Sequence, residues 1–250
     1  MIKFFRHIRK KLISENNMGK YFKYAIGEIL LVVIGILIAL QINNWNEERK
    51  EKHKAKSYLI NIKEDLALDT IQLSRAIVHI EASMVNTTKL LSLRSFENYE
   101  IDSLDKLIPR NFYQYSINSQ TFDKLINSGV TELSNYNDVF ELINVYYTQQ
   151  KNLFQAVRDW DVEETNEDND LIFGSSSYEI SYNNNNPDQS FFVQTPQESH
   201  EALTNILLSV KTRNRIRSAL FRKKRLASTF SETIAESKKI ITTINKNLID

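Results

Sequence analysis

The chain has 250 residues, and its 32 Lys and Arg against 31 Asp and Glu give a net charge of +1 at pH 7. A nearly neutral chain gives no overall electrostatic reason to expect nucleic acid as a partner. Cysteine is absent, which excludes disulfides, thiolate metal sites and cysteine nucleophiles. Only five glycines and three prolines occur, and so few breakers favour long helices over a turn-rich β architecture.

Residues 21–45 are predicted to form a membrane-spanning helix. Every residue from Ile29 to Leu40 is apolar or glycine. Residues 21–42 extend roughly 33 Å at about 1.5 Å per residue, enough for a hydrocarbon core about 30 Å thick. Trp45 and the aromatic residues near Tyr21 suit the two membrane interfaces. No small-x-small cleavage site follows, so an uncleaved signal anchor is expected; a cleaved signal peptide and a buried core helix are the alternatives.

Basic residues on the two sides of the apolar run predict its orientation. Seven Lys and Arg lie before the run and five lie shortly after it. The excess predicts a cytoplasmic N-terminus and a large C-terminal region on the other side of the membrane. Residues 1–20 are interpreted as a basic amphipathic segment that lies on the cytoplasmic headgroup surface. The compatible alternative is that its basic residues serve only to set the orientation of the span.

Within the predicted span, one stripe of residues is a candidate helix–helix face. Glu28, Gly35 and Ala39 fall on the same side of a helix, and Gly35 and Ala39 form a small-xxx-small spacing. Small residues let two helices approach closely in a membrane. Self-association of the chain as a homodimer is therefore one expectation.

The N-terminal region also carries two specific motifs, AIGE at residues 25–28 and GILIALQINNWNE at residues 35–47. A looser motif, TFDKLINSG, follows at residues 121–129. In these motifs the chain resembles a family of uncharacterised, single-span membrane proteins of Gram-negative bacteria, a domain of unknown function. The resemblance implies a bacterial membrane setting, and it supplies no active site. Together with the orientation predicted from the basic residues, it places the anchor in the inner membrane and the C-terminal domain in the periplasm.

Apolar periodicity after the span predicts that the helix continues to about Leu93. A heptad-type seam, typical of a coiled coil or a helical bundle, is formed by Leu59, Ile62, Leu66, Leu73, Ala76 and Ile80, with Asp69 at one polar position. A helix over 119–128 is predicted to end at Gly129, the usual left-handed cap. Further helices are predicted from after Asn135 to about Trp160, and from Thr195 to the C-terminus with Pro196 at its first position.

The segment between these last two helices, about 161–196, is predicted to be an irregular loop. Seven acids crowd residues 159–170, but calcium is disfavoured because Leu171 stands where an EF-hand requires glycine and Ser177 where it requires a bidentate acid. Asn166, Asp168 and Asp170 alone fit the pattern. The basic cluster at 211–225 is interpreted as a solvated or acid-paired face, opposed by residues 159–170, rather than a nucleic-acid site.

No motif for catalysis, a cofactor or a metal is found in the sequence. Phosphate-binding glycine loops, nucleophile elbows and metal-binding histidine spacings are absent, and a non-enzymatic protein without a cofactor is expected. The middle region is rich in aromatic residues, and Tyr113, Phe122 and Tyr146 are candidates for a ligand pocket or for core packing.

The sequence thus predicts an all-α protein: one N-terminal transmembrane helix, then an elongated antiparallel helical bundle over 46–250. The first functional hypothesis is a non-enzymatic interaction or scaffold module that contacts the bilayer and another envelope protein. The second is a small-ligand sensor acting through a partner, and the third is a membrane-tethered enzyme. A buried polar constellation in a closed pocket near Tyr113, Phe122 or Tyr146 would favour the second or third; a continuous exposed apolar face would favour the first.

Overall fold

The computed structural model describes residues 18–133, 135–174, 177–179 and 192–249, so most of the predicted amphipathic segment lies outside the described residues. All regular structure in these ranges is helical, which confirms the all-α prediction. In chain order the elements are α1 (Met18–Ser92), α2 (Ile101–Asp105), α3 (Gln120–Asn127), α4 (Asn137–Val145), a π-helical turn (Tyr146–Gln150), α5 (Lys151–Phe173), α6 (Pro196–Leu208) and α7 (Val210–Ile249).

The chain divides into two compact units, residues 1–56 and 57–250. The described part of the first unit is the beginning of α1, where an 18-residue window has a mean hydropathy of 2.6 and no buried residue. By length and composition this helix is apolar enough to cross a membrane. Its apolar side chains are exposed on every side, as a lipid-facing helix requires.

The core of the second unit confirms the seam predicted on α1. Leu59, Ile62, Leu66, Leu73 and Ile80 are all fully buried. Two other helices, α5 and α7, pack antiparallel, because Gln150 near the start of α5 contacts Thr233 late in α7, whereas Asp168 near the end of α5 contacts Arg222. Between these contacts the rings of Phe154 and Phe230 stack with their centroids 4.8 Å apart.

A second hydrophobic cluster lies where the end of α1 meets α2, α6 and the beginning of α7. Its buried members are Leu90, Phe96, Leu104, Leu107, Ile108, Ile172, Tyr178, Leu203, Leu207 and Ile216. Arg213 of α7 ties the same region together by donating to the carbonyl oxygens of Leu91 and Leu93. This cluster packs the loop after α1 against α6, and its member Tyr178 also lines a cavity on that side of the unit.

The predicted irregular region is wrong over residues 161–173, which belong to α5. The helix continues in the phase set by its apolar residues, with the core-facing positions occupied by Phe154, Val157, Asp161, Thr165, Asp168 and Ile172. Polar side chains at these positions hide the apolar periodicity that sequence reasoning relies on. They are tolerated because basic residues of α7 pair with the two aspartates.

The single helix predicted from Thr195 is also wrong, because the structure has two helices that meet at Ser209. This residue has an extended backbone (φ −62°, ψ 141°), and its Oγ accepts a hydrogen bond from the Thr212 backbone N–H at 3.2 Å. A serine cap therefore starts α7 anew. The predicted start of α6 holds, with a reciprocal capping box between Thr195 and Glu198, and Gly129 has the expected positive φ of 75°.

Candidate functional site

A buried ion cluster joins α5 to α7. The Nζ atom of Lys223 lies 2.6 Å from Asp161 Oδ2, and both side chains are almost completely buried. Lys223 also donates to the carbonyl oxygen of Asn111 at 2.8 Å, and its Nζ lies 5.7 Å from the ring centroid of Tyr113. Burial lowers the pKa of Lys223, and the charge of Asp161 opposes that shift.

About two turns further along α5, Asp168 binds two arginines. Its Oδ1 accepts from Arg215 and its Oδ2 accepts from the fully buried Arg222, while Glu164 lies 3.1 Å from Arg215. The acid-paired interpretation of the basic cluster is therefore confirmed for these two arginines and for Lys223. Both carboxylate oxygens of Asp168 are therefore hydrogen-bonded to arginines and do not form part of a calcium loop. The described residues contain no group of three or more acids or histidines placed to hold a metal ion.

The polar seam position on α1, Asp69, anchors the segment before α3. Its carboxylate accepts from the Tyr115 hydroxyl at 2.6 Å and from the Asn118 backbone N–H, and the Asn118 amide donates to Asp65 at 2.8 Å. Burial raises the pKa of Asp69, and the hydrogen bonds from Tyr115 and Asn118 oppose that shift. These contacts explain a buried acid in an otherwise apolar seam.

Two of the three aromatic candidates meet at the π-helical turn, which directs two consecutive tyrosines into the core. Phe122 stacks on Tyr147 with ring centroids 4.6 Å apart, and Tyr147 meets the edge of Tyr146 at 5.0 Å. The Tyr146 hydroxyl accepts a hydrogen bond from Ser237. Tyr113 lies apart from this cluster, between Lys223 and the stacked ring of His79. All three take part in packing; a ligand role for them stays a prediction.

A cavity of about 850 Å³ lies elsewhere, between the chain around α2 and the beginning of α6. Its lining includes five acids, Glu97, Glu100, Asp102, Glu179 and Glu201, and three aromatic residues, Tyr99, Tyr178 and Phe192. Among the described residues that line it there is no Lys or Arg. Sequence reasoning missed this site because its walls come from three segments separated by many residues, and none of them carries a recognisable motif.

The candidate membrane face lies on one side of α1. Gly35 and Ala39 are exposed, and a Cβ atom added at Gly35 would meet no other atom within 4 Å. Glu28 lies on the same side, about two turns earlier. The geometry leaves room for a second helix, and self-association through this face stays a prediction.

The solvent-facing side of α1 in the second unit carries a row of apolar residues, named here the outer stripe: Leu68, Ile71, Val78 and Val85. Their exposed fractions range from 49% to 69%. Spacings of three and seven residues keep them on one face, opposite the buried seam, over about 25 Å of helix. Sequence reasoning missed this stripe because the seam on the other face accounted for the periodicity.

Comparison with known proteins gives a family but no activity. Residues 28–155, just over half of the chain, match the model of a family of unknown function, DUF6090. The matched region begins at Glu28 in the apolar helix and ends within α5. It includes Asp69 and the aromatic cluster, but only part of the cavity lining. No curated protein and no solved structure matches the chain. The chain therefore belongs to the DUF6090 family of unknown function.

Proposed function

We propose that this protein is a membrane-anchored, non-enzymatic interaction module of the bacterial envelope. In this proposal the apolar part of α1 spans the inner membrane with the N-terminus in the cytoplasm, and the second unit lies in the periplasm. The outer stripe then contacts a helix of another envelope protein. The exposure of Leu68, Ile71, Val78 and Val85 on one helix face is the observation that carries the proposal.

Two physical arguments support a contact surface at the outer stripe. Burying exposed apolar area yields about 25 cal/mol per Å², so apolar side chains aligned on one helix face give a partner more contact area than scattered residues do. Because the opposite face of α1 is packed in the core, the helix presents this row on a rigid support. We therefore expect a helix of the partner protein to pack against the outer stripe, whose apolar side chains are one to two helical turns apart.

The buried polar groups favour structural roles over catalysis. Lys223, Asp161, Asp168 and Arg222 are enclosed in the core, and their charges are directed at one another. A catalytic group has to reach its substrate, and enclosed, mutually engaged ions do not. This arrangement supports a module that is held rigid by its ion cluster.

A pair of matched variants tests the proposal. Val78→Lys and Phe221→Lys each place a charge at a site of nearly equal exposure, 63% and 65%, on different helices. The tagged full chain is purified from its native membrane at high salt, and co-purifying proteins are quantified. We expect a stoichiometric partner with the wild type and Phe221→Lys, and its loss with Val78→Lys. Retention of that partner by Val78→Lys would refute the proposed surface.

The alternative is a periplasmic small-ligand sensor that acts through a partner, and one observation favours it. The cavity near α2 has a volume within the range of small-molecule sites, about 300–1,000 Å³. In this alternative, ligand binding in the periplasmic unit is passed on through contact with a partner protein. Ligand-dependent recovery of the partner in the same purification would support the sensor role.

A further inference from the structure

We propose that the cavity beside α2 and α6 binds a small organic cation, an amine or a guanidinium that carries an apolar moiety. The cavity is named here the acidic cavity and is lined by the five acids and three aromatic residues given above. The inference is independent of the outer stripe, and it gives the sensor alternative a class of ligand.

The first argument is uncompensated charge. Glu179 is already engaged, since its Oε2 accepts from the backbone N–H groups of Val193 and Gln194 at 2.9 Å each. The carboxylates of Glu97, Glu100 and Asp102 have no ion-pair partner among the described residues. A concave wall of like charges focuses a negative potential and raises the local concentration of cations.

The second argument is a tyrosine hydroxyl that is accessible from the cavity and has no protein partner. Tyr178 is only 6% exposed and lines the acidic cavity, yet its hydroxyl forms no hydrogen bond with any described residue. The hydroxyl oxygen is not among the fully buried side-chain atoms without a partner, so a ligand in the acidic cavity can reach it. Burial, with a smaller effect of the Asp105 charge, raises the pKa of Tyr178 to about 12, so the neutral hydroxyl is available at neutral pH. An ammonium or guanidinium N–H can donate to this oxygen.

The third argument is the aromatic part of the wall. Cations are attracted to the faces of aromatic rings within about 6 Å of the centroid. The Tyr99 ring already shows this contact, because Lys89 Nζ lies 5.8 Å from its centroid. Phe192 is partly exposed in the same wall and offers an apolar surface. Carboxylates beside aromatic rings suit a ligand with both a positive charge and a hydrocarbon part.

The wall is held in place from the core side. His200 Nε2 lies 2.9 Å from the Tyr99 carbonyl oxygen and 3.2 Å from that of Phe96. Both neighbours are acceptors, so this nitrogen carries the hydrogen and donates. The contact ties α6 to the segment that bears Tyr99 and fixes the width of the acidic cavity.

The size and geometry favour an organic cation over a metal ion. The described carboxylates are not grouped closely enough to coordinate a metal. A volume of about 850 Å³ also exceeds what a single ion needs and accommodates a molecule of many atoms. The acids are spread around the rim, where they steer and orient a cationic group rather than form a cage.

Isothermal titration calorimetry on the full chain in a zwitterionic detergent tests the proposal. The probes are phenethylamine and agmatine, and the matched anionic probe is 3-phenylpropanoate. We expect saturable binding of at least one cation and none of the anion. Saturable binding of neither cation, or equal binding of the anion, would overturn the inference.

Two variants locate the binding. Glu100→Gln removes one unpaired carboxylate and Tyr178→Phe removes the unpartnered hydroxyl, whereas Glu141→Gln removes an exposed acid outside the cavity. We expect the first two to weaken cation binding at least about fivefold and the third to leave it unchanged. Thermal unfolding of each variant without a probe serves as the folding control. Equal affinity in all three correctly folded variants would place the binding elsewhere and overturn the proposal.

The outcomes for the two surfaces are separable. Cation binding by a chain whose Val78→Lys variant keeps its partner would support the acidic cavity and refute the outer stripe. Loss of the partner in Val78→Lys, without cation binding by the wild type, would support the outer stripe and refute the acidic cavity.

Discussion

The buried pair of Asp161 and Lys223 is expected to be strongly coupled. Both side chains are almost fully buried, and their charged atoms lie 2.6 Å apart. Lys223→Met leaves the Asp161 carboxylate without its closest cation, since Arg222 Nε is 3.8 Å away. Removing one member of a buried ion pair costs about 3–5 kcal/mol. For a domain of this size, about 2–4 °C of melting temperature per kcal/mol gives a loss of roughly 10 °C.

A double-mutant cycle measures the coupling. Asp161→Leu is expected to destabilise to a similar extent, and the double variant Asp161→Leu/Lys223→Met is expected to recover most of the loss, because neither charge is then left unpaired. Thermal unfolding of the full chain in detergent, followed by circular dichroism, reports all four corners. Lys224→Met is the control, since that neighbouring lysine is exposed. The reasoning is refuted if Lys223→Met resembles Lys224→Met, or if the two losses simply add.

Three further variants test separate parts of the account by the same unfolding assay. Burial raises the pKa of Asp69 above its ordinary value of 3.8, so between the unfolded and folded pKa values the folded chain binds more protons than the unfolded chain. The contribution of Asp69 to the free energy of unfolding therefore falls as pH rises from about 4. Asp69→Asn should remove this part of the pH dependence of stability. Thr195→Ala removes the capping box of α6 and should cost about 1 kcal/mol, whereas Thr195→Ser should not. Gly129→Ala should cost about 1 kcal/mol or more because φ is 75° there, and unchanged stability would contradict that strain.

Sequence reasoning predicts this fold where apolar residues alone define the helix face. The seam from Leu59 to Ile80 and the left-handed cap at Gly129 are confirmed because each depends on local periodicity or local backbone conformation. The approximate end of α1 is confirmed for the same reason.

Sequence reasoning fails where polar residues occupy core positions. Asp161, Thr165 and Asp168 occupy core positions in the helical phase of Phe154 and Val157. From the sequence alone this stretch resembles a solvated acidic loop, because the cations that pair with the two aspartates are not evident. Those partners lie some 50–60 residues away on α7, at separations that no local pattern encodes. A helical-phase test that accepts acids at core positions opposite a basic cluster would have found them.

The acidic cavity and the outer stripe illustrate two further limits. Tyr178 and Glu100 come together only through tertiary packing, so neither signals a site in the sequence. Val78 and Val85 are apolar residues on a helix that already has a buried face, and only their exposure in the folded chain separates them from core residues.

Site-specific photo-crosslinking in the native membrane tests the proposed interaction surface most directly. A photoreactive amino acid replaces Val78 on the outer stripe or, as a control, Phe221, which has nearly the same exposure. The account predicts a discrete crosslinked product at Val78, whose mass identifies another protein and not a second copy of the chain, and no such product at Phe221. No product at Val78, or the same products at both positions, would contradict it.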